Sequence, residues 1–134
     1  MPDENVEIVR GVYDAWARGE FPGPGDVLGP GIEYVNPPGA IEPGTRRGLA
    51  AFAAAVDKVF EGWETWEMEP ERYEATGDQV AVLVRYRARG RGSGVEVEGR
   101  ESALWTVRDG KIVRYAWFHG PDDAFEAAGL PGPR

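Results

Sequence analysis

The first hydrophobic residues of the chain recur at spacings of three and four, the period of an amphipathic α-helix with one buried face. This pattern predicts a helix over residues 3–18, with Asp3 as its N-cap and Gly19 closing its C-terminal end. Its buried stripe consists of Val6, Val9, Val12, Tyr13 and Trp16. The Pro/Gly-rich segment 21–25 cannot continue the helix, and a short helical turn is predicted at residues 26–28.

A second helix is predicted over residues 49–60, where Phe52, Val56 and Phe60 fall on one face. Before it, residues 32–36 form a short predicted strand that stops at Pro37. After Gly62 the pattern alternates between apolar and polar residues, which is typical of β-strands. Strands are predicted over residues 66–75, 79–89, 95–108 and 112–119, with a bulge near Pro70 in the first of them.

Turn residues separate these strands and connect them as an antiparallel meander. Gly77-Asp78 and the loop 90–94 join the first three strands, and Asp109-Gly110 is a strong signal for a two-residue hairpin. A last helix is predicted between Pro121 and Gly129, followed by a flexible tail at residues 131–134. With 134 residues and no repeat, the chain is predicted to be one domain over residues 1–134.

This element order predicts an α+β fold. An antiparallel sheet that follows two helices can cover them only by curling around them. We therefore expect a cone-shaped, curved antiparallel sheet wrapped around the N-terminal helices. The open end of such a cone is the natural place for a pocket.

The hairpin at Asp109-Gly110 sets an expected register, because a two-residue turn pairs Arg108 with Lys111. An uninterrupted ladder then pairs each residue of one strand with a known residue of the other. A five-residue loop at 90–94 similarly pairs Arg89 with Val95. The inner face predicted in this way carries Val82, Val84, Tyr86, Glu98, Arg100, Ser102, Leu104, Tyr115, Trp117 and His119.

The same register assigns a second apolar set to the outer face: Val97, Ala103, Trp105, Val107, Ile112 and Phe118. Because a sheet with two apolar faces needs a cover on both, we expect a homodimer formed through the outer face. The alternating Arg85, Arg87 and Arg89 opposite Glu96 and Glu98 are expected to form a solvated ladder of ion pairs.

Composition narrows the chemistry. The chain has no cysteine and one histidine, which disfavours thiolate and multi-histidine metal sites, so no metal and no cofactor is expected. A net charge of −8 argues against nucleic-acid binding. The acidic N-terminus and the lack of a long apolar run predict no membrane contact and a cytoplasmic protein. Five residues each of Trp, Tyr and Phe supply material for an aromatic pocket.

Three segments carry a family resemblance: residues 5–20 (NVEIVRGVYDAWARGE), 105–114 (WTVRDGKIVR) and 126–130 (EAAGL). In these and in its element order the chain resembles the SnoaL-like polyketide cyclases of the nuclear transport factor two-like, or ketosteroid isomerase-like, superfamily. The resemblance implies a cystatin-like roll with a pocket for a small molecule. It also implies cofactor-independent chemistry of the cyclase, isomerase or hydrolase type.

The acidic catalytic residues of characterised relatives are not preserved at the matching positions. The aspartate base of ketosteroid isomerase corresponds to Asn36, and its second aspartate corresponds to Ser102. Two positions of the charged triad of limonene epoxide hydrolase correspond to Tyr86 and Trp117. Glu98 is the one carboxylate that the expected register places on the inner face.

Two candidates for catalysis remain. His119 is the natural acid or base, because histidine is the residue type suited to proton transfer near neutral pH, while Asn36 could orient a carbonyl or hydroxyl group. The alternatives are a rim histidine bonded to backbone or water and an asparagine that caps a turn. The expected ligand-binding residues are Trp16, Asn36, Trp63, Tyr86, Arg100, Ser102, Tyr115, Trp117 and His119. The function is thus either an enzyme acting on a small hydrophobic oxygenated compound or a non-catalytic ligand-binding or dimerisation domain.

Overall fold

The computed structural model describes residues 2–40 and 42–132. Pro133 and Arg134, part of the predicted flexible tail, lie outside the described residues. The elements in chain order are α1 (Pro2–Ala17), β1 (Leu28–Asn36), β2 (Gly44–Arg47), α2 (Leu49–Glu61), β3 (Trp63–Thr76), β4 (Gln79–Gly90), β5 (Glu96–Arg108), β6 (Lys111–Phe118) and α3 (Asp123–Ala127).

The six strands form one curved sheet in the order β2-β1-β6-β5-β4-β3. Neighbouring strands are antiparallel except for β1 and β6, which run parallel. Helix α1 packs on β3 and β4, and α2 packs on β1, β2 and β3, so both helices lie on the concave side. The predicted α+β class with a curved sheet around the first two helices is confirmed.

Three local features differ from the sequence-based expectation. Strand β1 begins at Leu28, four residues before the predicted start, because it pairs with β6 from Ile112 onward. Residues 25–27 form a turn, without the helical turn predicted at 26–28. Strand β2 was not predicted, since the exposed sequence Gly-Thr-Arg-Arg lacks an apolar alternation and is held by pairing with β1. The predicted bulge near Pro70 is present between Pro70 and Arg72.

The core joins α1 to the sheet through aromatic side chains. Trp105 is fully buried and donates a hydrogen bond from its indole nitrogen to the Tyr13 hydroxyl at 3.1 Å. Trp16 packs against both Trp105 and Tyr115, with ring centroids 5.8 Å and 6.0 Å apart. The predicted buried stripe of α1 therefore meets β5 and β6, and it fills the closed end of the cone.

The expected register of β5 and β6 is wrong by one residue beyond the hairpin. Arg108 pairs with Lys111 as predicted, but an irregularity follows, and Thr106 pairs with Arg114. Between these two pairs, β6 has one more residue than β5. The partners that follow are therefore Trp105 with Tyr115 and Ala103 with Trp117. The expected pairs Leu104–Tyr115, Ser102–Trp117 and Arg100–His119 are not formed.

The register of β4 and β5 is also displaced by one residue, because Arg89 pairs with Glu96 and not with Val95. Both corrections act on β5 in the same direction and exchange its two faces. The side chains of Leu104, Ser102, Arg100 and Glu98 leave the inner face. Their places are taken by the set assigned above to the outer face, namely Val107, Trp105, Ala103 and Val97, together with Glu101.

The outer face has a different character from the one expected. Helix α3 covers part of it, with buried Phe125 and Ala124 packed on Ala81 and Leu104 and against Phe118. Farther along, Arg87 and Arg89 pair with Glu98 and Glu96, as the predicted ion-pair ladder requires. The apolar residues that suggested a dimer interface thus lie in the core or under α3, except Val97, which is partly exposed and lines the cavity. The homodimer stays a prediction without its original support. Within residues 2–40 and 42–132, no helix has the length and apolar character of a membrane span.

Candidate functional site

A cavity of about 1100 Å³ opens between α2 and the concave face of the sheet. Its inner end is closed by Trp16 and Tyr115, and its wall includes residues of all six strands, with Arg46 of β2 at the rim. Most of the lining is aromatic or aliphatic. The lining residues are Trp16, Tyr34, Asn36, Gly39, Ala40, Glu42, Arg46, Ala51, Ala54, Ala55, Val56, Lys58, Val59, Phe60, Gly62, Trp63, Trp66, Met68, Tyr86, Val97, Glu101, Tyr115, Trp117 and His119.

The helix wall of the cavity is formed by small side chains at helical spacing. Ala51, Ala54 and Ala55 face the cavity on successive turns of α2, and Lys58 follows them on the same stripe. Phe52 and Val56, between them, are buried in the core. Alanine has a high helix propensity and a small side chain that leaves space beside the backbone. Helix α2 therefore packs tightly at its core face and leaves a void at the face that carries the alanines.

Glu101 is the carboxylate that the corrected register turns toward the cavity. It pairs with Val84 on β4, two positions along β5 from Gly99, and its side chain lines the cavity with 9% of the residue exposed. Burial raises the pKa of the Glu101 carboxyl from 4.5 to about 7, because an apolar environment disfavours the charged form. Within the described part of the chain, no hydrogen bond or basic side chain offsets this burial.

Two phenols flank this carboxyl. Tyr34 and Tyr115 are directly paired on β1 and β6, and their rings lie 5.4 Å apart at the cavity wall. Burial, reinforced by the negative charge of Glu101, raises the pKa of Tyr34 to about 12. Burial also raises the pKa of Tyr115, with Tyr13, Tyr34 and Glu101 adding to the effect. Both phenols therefore keep their protons near neutral pH and remain possible hydrogen-bond donors.

A chain of hydrogen bonds holds one side of the rim. The indole nitrogen of Trp117 donates to the Asn36 side-chain oxygen at 2.5 Å, and the Asn36 amide donates to the backbone oxygen of Glu42 at 2.8 Å. His119 stands edge-on to Trp117, with ring centroids 4.9 Å apart, and lies beside Gly39. Asn36 thus uses both ends of its amide to tie the wall to the segment that precedes β2.

Glu42 gathers two basic side chains at the same rim. Lys58 of α2 donates to one carboxylate oxygen at 2.5 Å, and Arg46 of β2 donates to the other at 3.2 Å. These partners lower the pKa of Glu42, Lys58 more than Arg46. The arrangement places two cations and one anion at the cavity mouth.

The opposite wall is a group of aromatic rings near the β4–β5 hairpin. Tyr86 and Trp66 are almost parallel, with an interplanar angle of 6° and centroids 5.7 Å apart, and Trp63 packs beside Trp66. The indole nitrogen of Trp66 is buried and has no hydrogen-bond partner among the described residues. Aromatic surface of this kind suits a flat apolar molecule.

Seven of the nine predicted ligand-binding residues line this one cavity: Trp16, Asn36, Trp63, Tyr86, Tyr115, Trp117 and His119. The other two do not. Arg100 lies on the outer face and pairs with Glu71 at 2.7 Å. Ser102 is fully buried beneath α3, where its hydroxyl donates to the Gly120 carbonyl oxygen at 2.6 Å and accepts from the Ala124 amide at 3.0 Å. Both corrections follow from the one-residue displacement of β5.

The same displacement hid Glu101 and misplaced Glu98. A signal for this one-residue displacement was present in β6, where buried Ile112 and Tyr115 are separated by three positions and not by two or four. An odd spacing between two inward residues is typical of a bulge. The run of Ala103, Trp105 and Val107 was a second signal, because three alternating apolar residues favour the core face.

Among residues 2–40 and 42–132, no three His, Asp or Glu side chains are grouped so that they could hold a metal ion. The groups that converge on the cavity are carboxyl, phenol, indole, amide and imidazole. Such groups move protons and form hydrogen bonds.

Comparison with known proteins agrees with this geometry. Residues 9–115 match the family described as the SnoaL-like domain. The uncharacterised protein Rv0034 of Mycobacterium tuberculosis is 30% identical over 132 residues, which cover 93% of this chain and 95% of that protein. The chain belongs to the SnoaL-like family.

Solved structures show the same fold. The crystal structure of TerC co-crystallised with polyporic acid superposes with a TM-score of 0.77 at 23% identity, covering 92% of this chain and 96% of TerC. An NTF2-like protein of Burkholderia thailandensis also gives a TM-score of 0.77, at 26% identity, covering 95% of this chain and 98% of that one. The protein therefore has an NTF2-like fold.

Proposed function

We propose that the protein binds a small, largely apolar molecule that carries a carbonyl or hydroxyl group, and that the Glu101 carboxyl transfers a proton to or from it without a cofactor. The observation that carries the proposal is the position of Glu101, a carboxyl with a pKa of about 7 on the wall of a cavity of about 1100 Å³. This assignment takes the place of Glu98 as the acidic group of the site.

The raised pKa supports a role in both directions of proton transfer. An acid whose pKa lies near the pH of the cell exists in both forms, so it serves as base when ionised and as acid when protonated. An ordinary glutamate would be almost fully ionised and would be a poor acid. Burial among apolar side chains provides this tuning without a second charged group.

Two neighbouring phenols support the stabilisation of the enolate that such a proton transfer forms. When Glu101 removes a proton next to a carbonyl group, the C–H electron pair moves into the carbonyl and leaves an enolate oxygen. Tyr34 and Tyr115 keep their phenol protons, and a neutral phenol donates well to such an oxygen. His119, on the rim, remains a predicted second acid or base.

An enolisable ketone tests the proposal directly. The probe is 1-tetralone in deuterated buffer, in which removal and return of an α-proton appear as loss of its NMR signal. We expect exchange with the native protein and a loss of at least about 100-fold in Glu101→Gln, a typical contribution of a positioned general base. Glu98→Gln, a matched change on the outer face, is expected to behave as the native protein.

Two results would count against this function. Exchange that persists in Glu101→Gln would move the proton transfer to another group, with His119→Ala as the next variant. Binding of 1-tetralone without any exchange would instead favour the non-catalytic ligand-binding domain.

A further inference from the structure

The ion cluster at the mouth of the cavity defines a chemical class of ligand. We infer that the cavity takes an apolar molecule with a carboxylate at one end, and that this carboxylate is held between Arg46 and Lys58. The inference rests on the proposed binding function and specifies the ligand further.

Strand pairing fixes Arg46 on the cavity side. Arg46 is directly opposite Tyr34 in the β1–β2 ladder, and paired residues of adjacent strands project from the same face. Tyr34 lines the cavity, so Arg46 lines it too, while the next residue, Arg47, projects outward to Glu33. Lys58 comes from the other wall, at the end of the alanine stripe of α2.

The two cations share one carboxylate. Glu42 is the acidic partner of both Arg46 and Lys58, so the cluster carries one positive charge in excess. The chain as a whole has a net charge of −8, which makes a positively charged site at a cavity mouth a local exception. A ligand carboxylate would complete the neutralisation that Glu42 begins.

The cluster is also easily rearranged. All three side chains are at least one-third exposed, and exposed ion pairs are weak because water solvates their partners well. A ligand carboxylate can therefore join or replace the Glu42 carboxylate at small cost. The Glu42 backbone oxygen, which accepts from Asn36 and Arg46, would keep the segment in place during such an exchange.

The position of the cluster sets the orientation of the ligand. Tyr34 lies near enough to Glu101 on the cavity wall and to Arg46 at the mouth to be affected by both charges. The charge of Glu101 raises the pKa of Tyr34, and the charge of Arg46 lowers it. A molecule anchored at Arg46 would pass Tyr34 and reach toward Glu101, with its apolar body against α2 and the aromatic wall. Flat aromatic and polycyclic carboxylic acids have this combination of features.

A pair of probes distinguishes binding by the carboxylate anchor from binding by the apolar cavity. We would measure binding of 2-naphthoate and of its neutral analogue 2-naphthamide by isothermal titration calorimetry at low salt and neutral pH. The native protein is expected to bind the carboxylate about fivefold more tightly than the amide, the upper range for partly exposed ion pairs. High salt should reduce this preference.

Variants assign the preference to named side chains. Arg46→Met and Lys58→Met are each expected to lower the ratio of 2-naphthoate affinity to 2-naphthamide affinity about threefold. Glu42→Gln removes the internal competitor and is expected to raise the affinity for 2-naphthoate. Arg87→Met and Glu98→Gln, matched changes in an ion pair on the outer face, should alter neither.

The outcomes separate the two proposals. Equal binding of both probes to the native protein, or a preference that survives Arg46→Met and Lys58→Met, would overturn the anchor while leaving the apolar cavity as a binding site. Failure of both probes to bind would remove the proposed binding function and the anchor with it.

Discussion

The Tyr86 ring lies directly over Gly99 on the neighbouring strand. A Cβ atom built at residue 99 would stand 2.8 Å from the Tyr86 hydroxyl oxygen and 3.0 Å from the carbon that bears it. The two residues are paired in the β4–β5 ladder, two positions along β5 from Glu101. Glycine is thus needed at position 99 for the Tyr86 ring to lie flat on the sheet, parallel to Trp66.

Gly99→Ala is expected to push the Tyr86 ring off β5 and to break its parallel contact with Trp66. The near-UV circular dichroism spectrum should change, while the free energy of unfolding falls by less than about 2 kcal/mol because the ring can move into the cavity. Gly31→Ala is the control, since a Cβ at that strand glycine meets open space. Equal near-UV spectra for the native protein and Gly99→Ala would show that Gly99 does not position Tyr86.

Burial of Glu101 makes the stability of the protein depend on pH. Its pKa is 4.5 when exposed and about 7 in the fold, so between these values the folded state binds more protons than the unfolded state. The contribution of Glu101 to the free energy of unfolding should therefore be greatest below the lower value and decrease as the pH rises to the upper one. At about 1.4 kcal/mol for each unit of pKa displacement, this contribution is on the order of 3 kcal/mol.

Urea denaturation across this pH range, compared with Glu101→Gln, measures the contribution. The difference in stability between the two proteins should vary with pH and level off above the folded-state pKa, because glutamine does not titrate. Carbon-13 NMR of the carboxyl groups should show one glutamate with a midpoint near neutrality that is absent from the variant. A constant difference between the two proteins would contradict the raised pKa.

Filling the space beside α2 should abolish binding without unfolding the protein. Ala55→Leu places a larger side chain at the cavity wall on a helix position that leucine favours. We expect at least about a tenfold loss of affinity for 2-naphthamide, because a filled pocket excludes the ring by steric overlap. Ala50→Leu, on the exposed face of the same helix, is the control. Native-like affinity in Ala55→Leu would place the ligand elsewhere.

Ser102 was predicted to bind ligand and is found instead to anchor α3. Ser102→Ala removes its bonds to Gly120 and Ala124 and should lower the free energy of unfolding by about 1–3 kcal/mol, since a buried donor and acceptor lose their partner. Affinity for 2-naphthamide should not change. Ser93→Ala, at an exposed loop position, removes only an exposed hydrogen bond from the Val95 amide and should cost less than about 0.5 kcal/mol without changing the affinity. A loss of affinity that exceeds the loss of stability would return Ser102 to the ligand site.

Much of the fold could be predicted from local patterns. The stripe of α1, the core face of α2 and the turn at Asp109-Gly110 each depend on residues close together in the sequence. The element order then limits how one sheet can cover two helices. The early start of β1 could not be predicted in this way, because it is held by pairing with β6, which is distant in sequence. Strand β2 was missed because its exposed, polar sequence lacks the apolar alternation of a strand and is held by pairing with β1.

The site was predicted unevenly for the same reason. Trp117, Tyr86 and Asn36 lie on strands whose inward face was assigned correctly, so they were found. Glu101 was missed and Ser102 and Arg100 were misassigned because all three lie on β5. One extra residue in β6 and a one-residue change at the β4–β5 loop were enough to reverse that strand.

The sequence by itself determined the helices, the strands other than β2, their order and the aromatic and acidic residues available to the site. Only the tertiary structure decided which face of β5 looks inward, and with it that Glu101 is buried in an apolar cavity while Glu98 lies among exposed ion pairs. Side-chain direction in a strand alternates with every residue, so a single bulge is invisible in composition yet exchanges core for surface. The pKa of a carboxyl depends on that environment and not on its place in the chain.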